Sequence, residues 1–281
     1  MTERIKIMKT WLITGCSSGI GRGIAKAALE KGDQVVVTAR NPEKVRELAD
    51  KYPKTAMAVA LDVTKQESID EAVRQAHERF GTIDVLVNNA GHGYRAALEE
   101  GEPEAVAELY QTNVFGPVAL MKAVLPEMRE KKSGAILNVS SIAAVRSGVG
   151  SGYYASTKAA LELLTDALWQ EVTPLGIRVM IVEPGAFRTN FYDDSLKGTQ
   201  VKIGDYAETA GKTRKEVIVN RNDQPGDPER AGKVLVNVLE QEKLPMRLLL
   251  GSDATGFVRK ELEHRLEELN DWEKISAESD F

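Results

Sequence analysis

The sequence of 281 residues contains one cysteine and three histidines. Cys16 has no second cysteine with which to form a disulfide, and His77, His92 and His264 lie far apart in sequence, without metal-ligand spacing. Disulfide-stabilised domains and structural zinc sites need several of these residues at short spacing. We therefore expect a reduced, metal-free protein.

The chain also lacks a long apolar run and an excess of positive charge. No apolar stretch reaches the roughly 18 residues of a membrane span, and the N-terminal MTERIKIMKT carries charges where a signal peptide has its apolar region. The 37 basic and 42 acidic residues leave a net charge of -5, with both signs interspersed. We expect no nucleic-acid partner, no membrane span and a cytoplasmic location.

Short apolar runs alternate with amphipathic segments along most of the chain. Most runs are β-branched and apolar throughout, which favours parallel strands covered on both faces. Between them, segment 66–79 has Ile69, Val73, Ala76 and Phe80 near a period of 3.6 and predicts a helix. The alternation predicts a single domain, 1–281, with a doubly wound α/β sheet. The runs are WLIT at 11–14, VVVTA at 35–39, MAVAL at 57–61, IDVLVN at 83–88, AILNVS at 135–140, IRVMIV at 177–182 and MRLLL at 246–250.

Two segments extend beyond this alternation. Residues 185–227 are polar and longer than an ordinary loop, so we interpret 190–226 as an insertion that closes over the substrate. Residues 252–281 form an extra helix and tail, with the helix predicted over 254–273. Its apolar stripe must be buried, in the first place against its own domain and in the second against a neighbouring subunit. The stripe consists of Val258, Leu262, Leu266, Leu269 and Trp272.

A glycine-rich stretch, TGCSSGIGRGIAKAALE at 14–30, follows the first predicted strand. Gly15, Gly19 and Gly21 are spaced G-x-x-x-G-x-G where that strand turns into a helix. Without side chains they let the backbone approach a pyrophosphate, which then lies against the free N–H groups and the positive dipole end of the helix. The spacing differs from G-x-G-x-x-G, so a glycine-rich tight turn is the alternative.

The same letters, GCSSG at 15–19, also match the G-x-S-x-G nucleophile elbow of serine hydrolases. Ser17 would then be the nucleophile, and Asp253 and His264 would follow in the chain order of that class. His264, however, lies off the apolar stripe of a charged amphipathic helix and is expected to be solvated. The hydrolase is therefore the weaker hypothesis.

Further polar motifs lie at or just beyond the C-terminal ends of the predicted strands, where open parallel sheets bind ligands. They are Asp62-Val63, Asn88-Asn89-Ala90-Gly91, Asn113, Ser140-Ser141, Tyr154-x-x-x-Lys158 and Pro184-Gly185. Each motif alone is unspecific, but the set, in this order over residues 9 to about 250, resembles the short-chain dehydrogenase/reductase family. The resemblance implies a Rossmann fold whose seven parallel strands have the order 3-2-1-4-5-6-7.

The resemblance implies that Ser141, Tyr154 and Lys158 are catalytic, with Asn113 as a fourth member. Ser141 is favoured over Ser140 because it lies 13 positions before Tyr154, the spacing of the family. By resemblance, Ser141 hydrogen-bonds the carbonyl oxygen, Lys158 holds the ribose hydroxyls, and Asn113 anchors a water that links Lys158 to solvent. The alternative for Asn113 is a polar residue that kinks a helix.

Helical geometry independently selects Tyr154 over Tyr153. Residues four apart share a helix face, so Tyr154 and Lys158 point at one ligand, whereas Tyr153 is turned away by about 100° and is assigned to packing or the pocket wall. A free tyrosine titrates near ~10, and lowering that pKa by about two units requires roughly 3 kcal/mol. We expect the Lys158 ammonium to lower the pKa of Tyr154, which donates the proton while the nicotinamide supplies the hydride.

The cofactor is expected to be NADPH. An NAD-specific sheet carries an acidic residue at the end of its second strand, but here that position is Ala39, followed by Arg40, which can bind a 2′-phosphate. The alternative for Arg40 is an exposed, solvated side chain that binds no phosphate. The alternative for Asp62 is a helix N-cap that binds no adenine. The predicted cofactor residues are Gly15, Ser17, Ser18, Gly19, Ile20, Gly21, Arg40, Asp62, Val63, Asn89, Ala90, Gly91, Tyr154, Lys158, Pro184, Gly185, Phe187 and Thr189.

Together these features predict an NADPH-dependent carbonyl reductase or secondary-alcohol dehydrogenase. Its substrate is a small carbonyl or alcohol compound, in a pocket lined by 190–226 and 92–94. Two alternatives stay open, a nucleotide-binding regulatory protein on the same fold and an NAD-dependent oxidising enzyme. The resemblance also implies a homodimer or homotetramer, formed through helices at 104–130 and 153–173.

Overall fold

The strands of the protein form one large sheet and one small sheet. The described strands are β1 (Thr10–Ile13), β2 (Gln34–Ala39), β3 (Ala56–Ala60), β4 (Val85–Asn88), β5 (Gly93–Arg95), β6 (Gly134–Val139), β7 (Ile177–Pro184), β8 (Leu196–Gly198) and β9 (Arg247–Leu250). The computed structural model describes residues 8–193, 195–217 and 223–281. The large sheet is parallel throughout, in the order β3-β2-β1-β4-β6-β7-β9. Counted among themselves, its seven strands have the order 3-2-1-4-5-6-7, which confirms the predicted Rossmann fold.

Helices cover both faces of the large sheet. The described α-helices are α1 (Gly19–Lys31), α2 (Arg46–Lys51), α3 (Gln66–Phe80), α4 (Pro103–Tyr110), α5 (Gly116–Lys131), α6 (Gly152–Val172), α7 (Pro228–Val238) and α8 (Ser252–Ala277). Successive side chains of a strand point to opposite faces, so Trp11 packs with Ile24 of α1 and Leu235 of α7, whereas Leu12 packs on the side of Leu120 of α5. This two-sided burial explains why the strands are apolar throughout rather than alternating.

α1 and α7 cross in close contact at two glycines. A Cβ placed on Gly23 would lie 2.0 Å from the carbonyl oxygen of Pro228, and one placed on Gly232 would lie 2.2 Å from the carbonyl carbon of Gly23. Real Cβ atoms do not approach backbone atoms so closely, so the crossing requires glycine on both helices. The contact holds α1, which begins in the glycine-rich loop, against the C-terminal part of the chain.

Gly232→Ala is expected to lower the free energy of unfolding by about 1–3 kcal/mol, because the added methyl group must push α1 and α7 apart. Gly256→Ala is the matched control. Gly256 also lies within a helix, but nothing lies within 4 Å of a Cβ placed there, so alanine should stabilise the helix by about 0.5–1 kcal/mol. Urea unfolding followed by circular dichroism measures both changes. Equal unfolding midpoints for the two variants would contradict the close contact.

The C-terminal helix α8 projects away from the domain. Val258 is 6% exposed, and α8 meets the domain at β9 and at residues 142–144. The rest of the predicted stripe is 55% to 60% exposed, so the expectation that α8 buries this stripe against its own domain is wrong beyond Val258. The exposed members are Leu262, Leu266, Leu269 and Trp272. Of the helices that the structure describes, none is long and apolar enough to cross a membrane.

The segment that follows β7 contains regular structure that the sequence did not predict. Its strand β8 pairs in parallel with β5 to form the small sheet, with Gly93 opposite Leu196. Further along, the buried carboxylate of Glu100 accepts a hydrogen bond of 2.9 Å from the backbone N–H of Ile203 and forms an ion pair with Arg214. The predicted loop 190–226 is thus attached to the domain at several points. Position 194 and positions 218–222 lie outside the described residues, and closure over a substrate stays a prediction.

Candidate active site

The glycine-rich loop between β1 and α1 has the conformation that its glycines predict. Gly15 and Gly19 have φ values of 71° and 61°, in the left-handed region that strains other residues. Ser18 is the N-cap residue of α1 but makes no side-chain hydrogen bond to the first turn, which also lacks acidic residues. Such a helix start presents N–H groups and a positive dipole end. The loop therefore fits the pyrophosphate of a dinucleotide.

A hydrogen-bonded contact joins this loop to the loop after β4. The Thr14 hydroxyl oxygen accepts hydrogen bonds of 2.9 Å from the backbone N–H groups of Asn89 and Ala90. In return, Asn89 Nδ2 donates to the carbonyl oxygens of Thr14 and Gly15, at 2.8 and 3.1 Å. A Cβ on Gly21 would lie 2.3 Å from that Nδ2 atom. Asn89 and Gly21 are therefore both needed to bring the two loops together.

Arg40 and Asp62 follow β2 and β3, at the same edge of the sheet as the glycine-rich loop. Arg40 is exposed, as its sequence alternative stated, and nothing shields it from a ligand. Asp62 Oδ1 accepts hydrogen bonds from the backbone N–H and the hydroxyl of Thr64, at 3.0 and 2.7 Å. Partial burial alone would raise the pKa of Asp62, but these bonds and the charges of Lys65 and Arg40 hold it below its ordinary value. Val63 is buried beside Gly116 at the start of α5.

Residues after β7 approach the glycine-rich loop from the other side. A Cβ on Gly19 would lie 3.1 Å from Cγ2 of Thr189. Pro184 ends β7, and Asp253 Oδ2 accepts a hydrogen bond of 2.7 Å from the backbone N–H just after Gly185. Phe187 is buried in the core cluster that also contains α1. Of these predicted residues, Thr189 is thus the one that the structure places against the glycine-rich loop, while Phe187 packs in the core.

The predicted catalytic side chains converge beyond β6. Helix α6 places Tyr154 and Lys158 one turn apart on one face, with Lys158 Nζ 5.9 Å from the centre of the Tyr154 ring. The Ser141 hydroxyl is hydrogen-bonded to Tyr154, and its oxygen also accepts from the backbone N–H of Ala143 at 3.1 Å. Lys158 is buried and donates a hydrogen bond of 2.8 Å to the carbonyl oxygen of Val139. Serine, tyrosine and lysine thus form one cluster.

The protonation states of this cluster differ from the sequence-based expectation. Burial raises the pKa of Tyr154 to about 12, although hydrogen bonding to Ser141 and the charge of Arg95 act in the opposite direction. Burial also lowers the pKa of Lys158 to about 8, which the nearby Glu162 carboxylate opposes. The pKa of Tyr154 is therefore raised rather than lowered, and the charge that opposes burial is that of Arg95 rather than that of Lys158. Removal from water outweighs the effect of the neighbouring charge.

Asn113 lies in a π-helical turn, Gln111–Phe115, between α4 and α5. Its Nδ2 donates to the carbonyl oxygen of His92 and to Thr157 Oγ1, at 2.9 and 3.1 Å, and its Oδ1 accepts from the His92 N–H at 3.1 Å. A Cβ on Gly91 would lie 3.1 Å from Asn113 Oδ1 and 3.6 Å from Lys158 Nζ. Asn113 therefore borders the lysine and also shapes the loop after β4, and the π-helical turn agrees with the kinking alternative.

The second tyrosine, Tyr153, faces away from this cluster. Its hydroxyl donates a hydrogen bond of 2.6 Å to the carbonyl oxygen of Leu98, and its ring packs against Gly101 and Tyr94. It therefore attaches α6 to the loop after β5. The structure thus gives the two adjacent tyrosines different surroundings.

The serine-hydrolase hypothesis is not supported by the geometry. Asp253 and His264 lie on the same helix, α8, 11 residues apart, which corresponds to about 16 Å. Asp253 is engaged with the backbone after Gly185, while His264 lies in a polar surface groove beside Arg146 and Lys260. The acid and the histidine of a triad have to be in hydrogen-bond contact. Ser17 therefore has no hydrogen-bonded pair of Asp253 and His264 to activate it as a nucleophile.

Three further residues lie around Tyr154; Phe191 and Tyr192 belong to segment 190–226, which was predicted to line the pocket, whereas Arg95 was not predicted. The Phe191 ring lies 5.7 Å from the Tyr154 ring and 5.6 Å from that of Tyr192. Arg95, at the end of β5, interacts electrostatically with Tyr154 and Tyr192. These residues lie near Tyr154 only because β5 and β8 pair. Both strands are three residues long and have no periodicity that a sequence pattern could reveal.

Two buried carboxyl groups lie behind the lysine. Glu162, one turn after Lys158 on α6, accepts a hydrogen bond of 2.6 Å from the Ser140 hydroxyl. Glu183 of β7 is hydrogen-bonded to Glu162, and Arg247 Nε lies 3.7 and 3.8 Å from the two carboxyl groups. Burial and the Glu162 charge raise the pKa of Glu183 to about 7, although Arg247 acts in the opposite direction. Below neutral pH the pair therefore holds one proton, and we place it on Glu183.

This proton makes the stability of the protein depend on pH. Because the folded pKa of Glu183 lies above its ordinary value of 4.5, the stabilisation is complete below about 4.5 and is lost as the pH rises through about 7. Glu183→Gln should therefore gain stability relative to the parent chain across this interval, as chemical unfolding at several pH values will show.

Glu261→Gln is the matched control for Glu183→Gln. Glu261 is buried, but hydrogen bonds and charges from Arg265 and Arg146 outweigh burial and lower its pKa. Because its folded pKa is lowered, the ionised Glu261 carboxylate stabilises the folded protein above about pH 4.5. The Glu261→Gln variant should therefore lose stability above that pH. Equal pH profiles for the two variants would contradict the assignment of the proton.

Comparison with known proteins identifies the family. The model of the short-chain dehydrogenase family matches residues 9–199, and the chain belongs to this family. The oxidoreductase BOA17 of Botryotinia fuckeliana is 36% identical over 272 residues, which cover 96% of this chain and 99% of that protein. A short-chain dehydrogenase structure from Streptomyces avermitilis is 44% identical with a TM-score of 0.90, and the match covers 100% of both chains. The chain is thus an oxidoreductase of a family that uses a nicotinamide cofactor.

Two further solved structures contain cofactors. An alcohol dehydrogenase from Thermococcus sibiricus, complexed with 5-hydroxy-NADP, is 28% identical with a TM-score of 0.72, covering 87% of this chain and 96% of that one. A 3-ketoacyl-(acyl-carrier-protein) reductase from Brucella melitensis, complexed with NADH, is 27% identical with a TM-score of 0.74, covering 88% and 98%. Both dinucleotides therefore occur among proteins similar to this one, and preference for one of them must come from this chain's own residues.

Proposed function

We propose that the protein is an NADPH-dependent carbonyl reductase, which transfers a hydride between the nicotinamide and a ketone or aldehyde. The observation that carries this proposal is the cluster of Ser141, Tyr154 and Lys158 at the edge of the sheet that also holds the glycine-rich loop. A regulatory protein would use the loop but would have no need for a buried lysine beside a half-buried tyrosine. The cofactor supplies and accepts the hydride, which no protein side chain can do.

The protein's own residues bind the substrate and move the proton. Tyr154 is protonated at neutral pH, because burial raises its pKa to about 12. It is therefore in the correct state to donate a proton to a carbonyl oxygen as negative charge develops there. Ser141, hydrogen-bonded to Tyr154, stabilises the same oxygen.

The cofactor is held by residues on three sides of the site. The N–H groups at the start of α1 would bind the pyrophosphate, and Asn89 to Gly91 would contact the adenosine ribose. Lys158, with Gly91 and Asn113 beside it, would hold the nicotinamide ribose. Asp62 Oδ2 would accept from the adenine amino group, because Thr64 occupies Oδ1 and the exposed Lys65 ammonium is 3.9 Å from Oδ2. Arg40 remains for the 2′-phosphate.

Tyr154→Phe should remove most turnover, because it deletes the proton donor, while the affinity for NADPH changes only a few fold. Tyr153→Phe is the matched control at the adjacent position, and its effect should be much smaller because Tyr153 faces Leu98. Steady-state NADPH oxidation with a panel of ketones, aldehydes and quinones measures turnover, and fluorescence titration measures binding. Equal losses of turnover in the two variants would refute the assignment.

Arg40→Leu should raise the KM for NADPH roughly ten- to a hundredfold, because a lost charge-assisted contact is worth about 1.5–3 kcal/mol. The KM for NADH should hardly change, since NADH has no 2′-phosphate. Arg22→Leu is the control, because Arg22 also lies near the start of α1 but forms an ion pair with Glu47. A parent enzyme that already prefers NADH would exclude the role of Arg40 and favour the NAD-dependent alternative.

We also propose that the chain assembles into a homodimer or homotetramer. Apolar side chains are exposed on the helical regions for which pairing was predicted, namely Phe115, Leu163, Leu164 and Trp169. Exposed large apolar side chains support this proposal, because contacts between subunits bury such groups. A cytoplasmic location likewise stays a prediction.

A further inference from the structure

Arg95 is a positively charged side chain near the reactive tyrosine that has no carboxylate partner. It interacts electrostatically with the phenol groups of Tyr154 and Tyr192. Within the part of the chain that the structure describes, Nε of Arg95 is buried without a hydrogen bond. Arg95 takes part in none of the ion pairs found among the described residues. Its guanidinium therefore faces the reactive tyrosine without compensation.

The other partly buried arginines of this region are compensated. Arg214 forms an ion pair with Glu100, and Arg247 lies against Glu162 and Glu183. Taking a charge out of water is unfavourable unless an opposite charge or hydrogen bonds replace the water. Burial accordingly lowers the pKa of Arg95, although its guanidinium stays charged. An unpaired cation in a cleft is the arrangement in which a ligand can supply the missing anion.

The backbone holds Arg95 firmly at this position. Its carbonyl oxygen accepts a hydrogen bond of 3.0 Å from the Thr199 N–H, and the next residue, Ala96, donates one of 3.0 Å to Gly150. The pairing of β5 with β8 thus fixes the base of the side chain. Phe191 packs against Tyr154, and its ring lies 2.8 Å from a Cβ placed on Gly93, which is on the same face of β5 as Arg95. The Phe191 ring, which contacts Tyr154, and the Arg95 side chain therefore lie on the same side of β5.

Other cations act on this part of the protein, although the chain as a whole has a net charge of -5. Burial and, second, the charge of Lys197 lower the pKa of His92, three residues before Arg95, to about 4. The charges of Arg40 and Lys158 act in the same direction, and Glu108 opposes them. Cations that act on this region favour an anionic ligand there over a cationic one.

We propose that Arg95 anchors a carboxylate of the substrate, so that the enzyme acts on oxo acids rather than on neutral ketones. The planar guanidinium matches a carboxylate with two parallel hydrogen bonds, and this would orient the carbonyl group towards Tyr154. The inference rests on the proposed carbonyl reduction and adds the substrate class. The chemistry is unchanged: the carbonyl carbon accepts a hydride, its oxygen accepts a proton, NADPH is oxidised, and the carboxylate makes no covalent bond.

The test compares acids with their uncharged esters. The probes are 2-oxobutanoate, 3-oxobutanoate and 4-oxopentanoate, each measured beside its methyl ester. For at least one pair, kcat/KM should be about tenfold or more higher for the acid, and Arg95→Gln should remove this preference by lowering the value for the acid ten- to a hundredfold. The value for the ester should change less than about threefold. Arg146→Gln, at an exposed arginine that pairs with Glu261, should leave the acid-to-ester ratio unchanged.

Other outcomes separate this inference from the proposed function. Efficient reduction of every ester, with no preference for any acid, would support carbonyl reduction and overturn the role of Arg95. Equal losses for acid and ester in Arg95→Gln would show a structural role and would also overturn it.

A second measurement does not depend on turnover. Phenylglyoxal modifies accessible arginines, and mass spectrometry of the peptide that contains Arg95 gives its rate of modification. Saturating 4-oxopentanoate should slow the modification of Arg95 several fold, whereas its methyl ester should not. Equal rates with both compounds, or an Arg95 that the reagent never reaches, would overturn the inference even if no probe is reduced.

Discussion

The hydroxyl group of Thr14 holds together the two loops on which the cofactor edge depends. Parallel strands bring the glycine-rich loop and the loop after β4 to the same edge, but they do not fix the distance between them. Thr14 accepts hydrogen bonds from two backbone N–H groups of the second loop, while Asn89 returns two to the first. The polar groups of each loop thus find their hydrogen-bond partners in the other loop. The start of α1 and the region beside Gly91 and Lys158 therefore stay open to a ligand.

Burial determines the protonation states of the reactive residues. It raises the pKa of Tyr154 and lowers that of Lys158, so both groups are shifted towards their neutral forms. Glu162 acts against this shift for Lys158, and Glu162 can stay charged because Ser140 and a protonated Glu183 hydrogen-bond to it. A chain of neighbours from β7 to α6 thus keeps a cation beside the tyrosine. The reactive cluster therefore depends on residues that no ligand touches.

The sequence predicted those parts of the protein that depend on local patterns. The strands of the large sheet follow from continuous apolar runs, and α3 follows from a 3.6 period. The pKa of Tyr154 could not be predicted, because sequence spacing shows which charge is near but not how much water is excluded. The prediction that the domain buries the apolar stripe of α8 was wrong for a different reason. The periodicity of the stripe predicted a helix correctly, yet periodicity does not say whether the domain offers a surface to receive Leu266 or Trp272.

The glycine contact between α1 and α7 has a consequence for how the protein is made. α1 ends at Lys31, but the helix that packs across it starts only at Pro228, about 200 residues later. Chains leave the ribosome from the N-terminus at roughly 5–20 residues per second, so this interval lasts from about 10 to 40 seconds. During that time the face of α1 that carries Gly23 has no partner. Helix α1 is therefore among the first helices of the protein to be synthesised, while its Gly23 face is among the last to be covered.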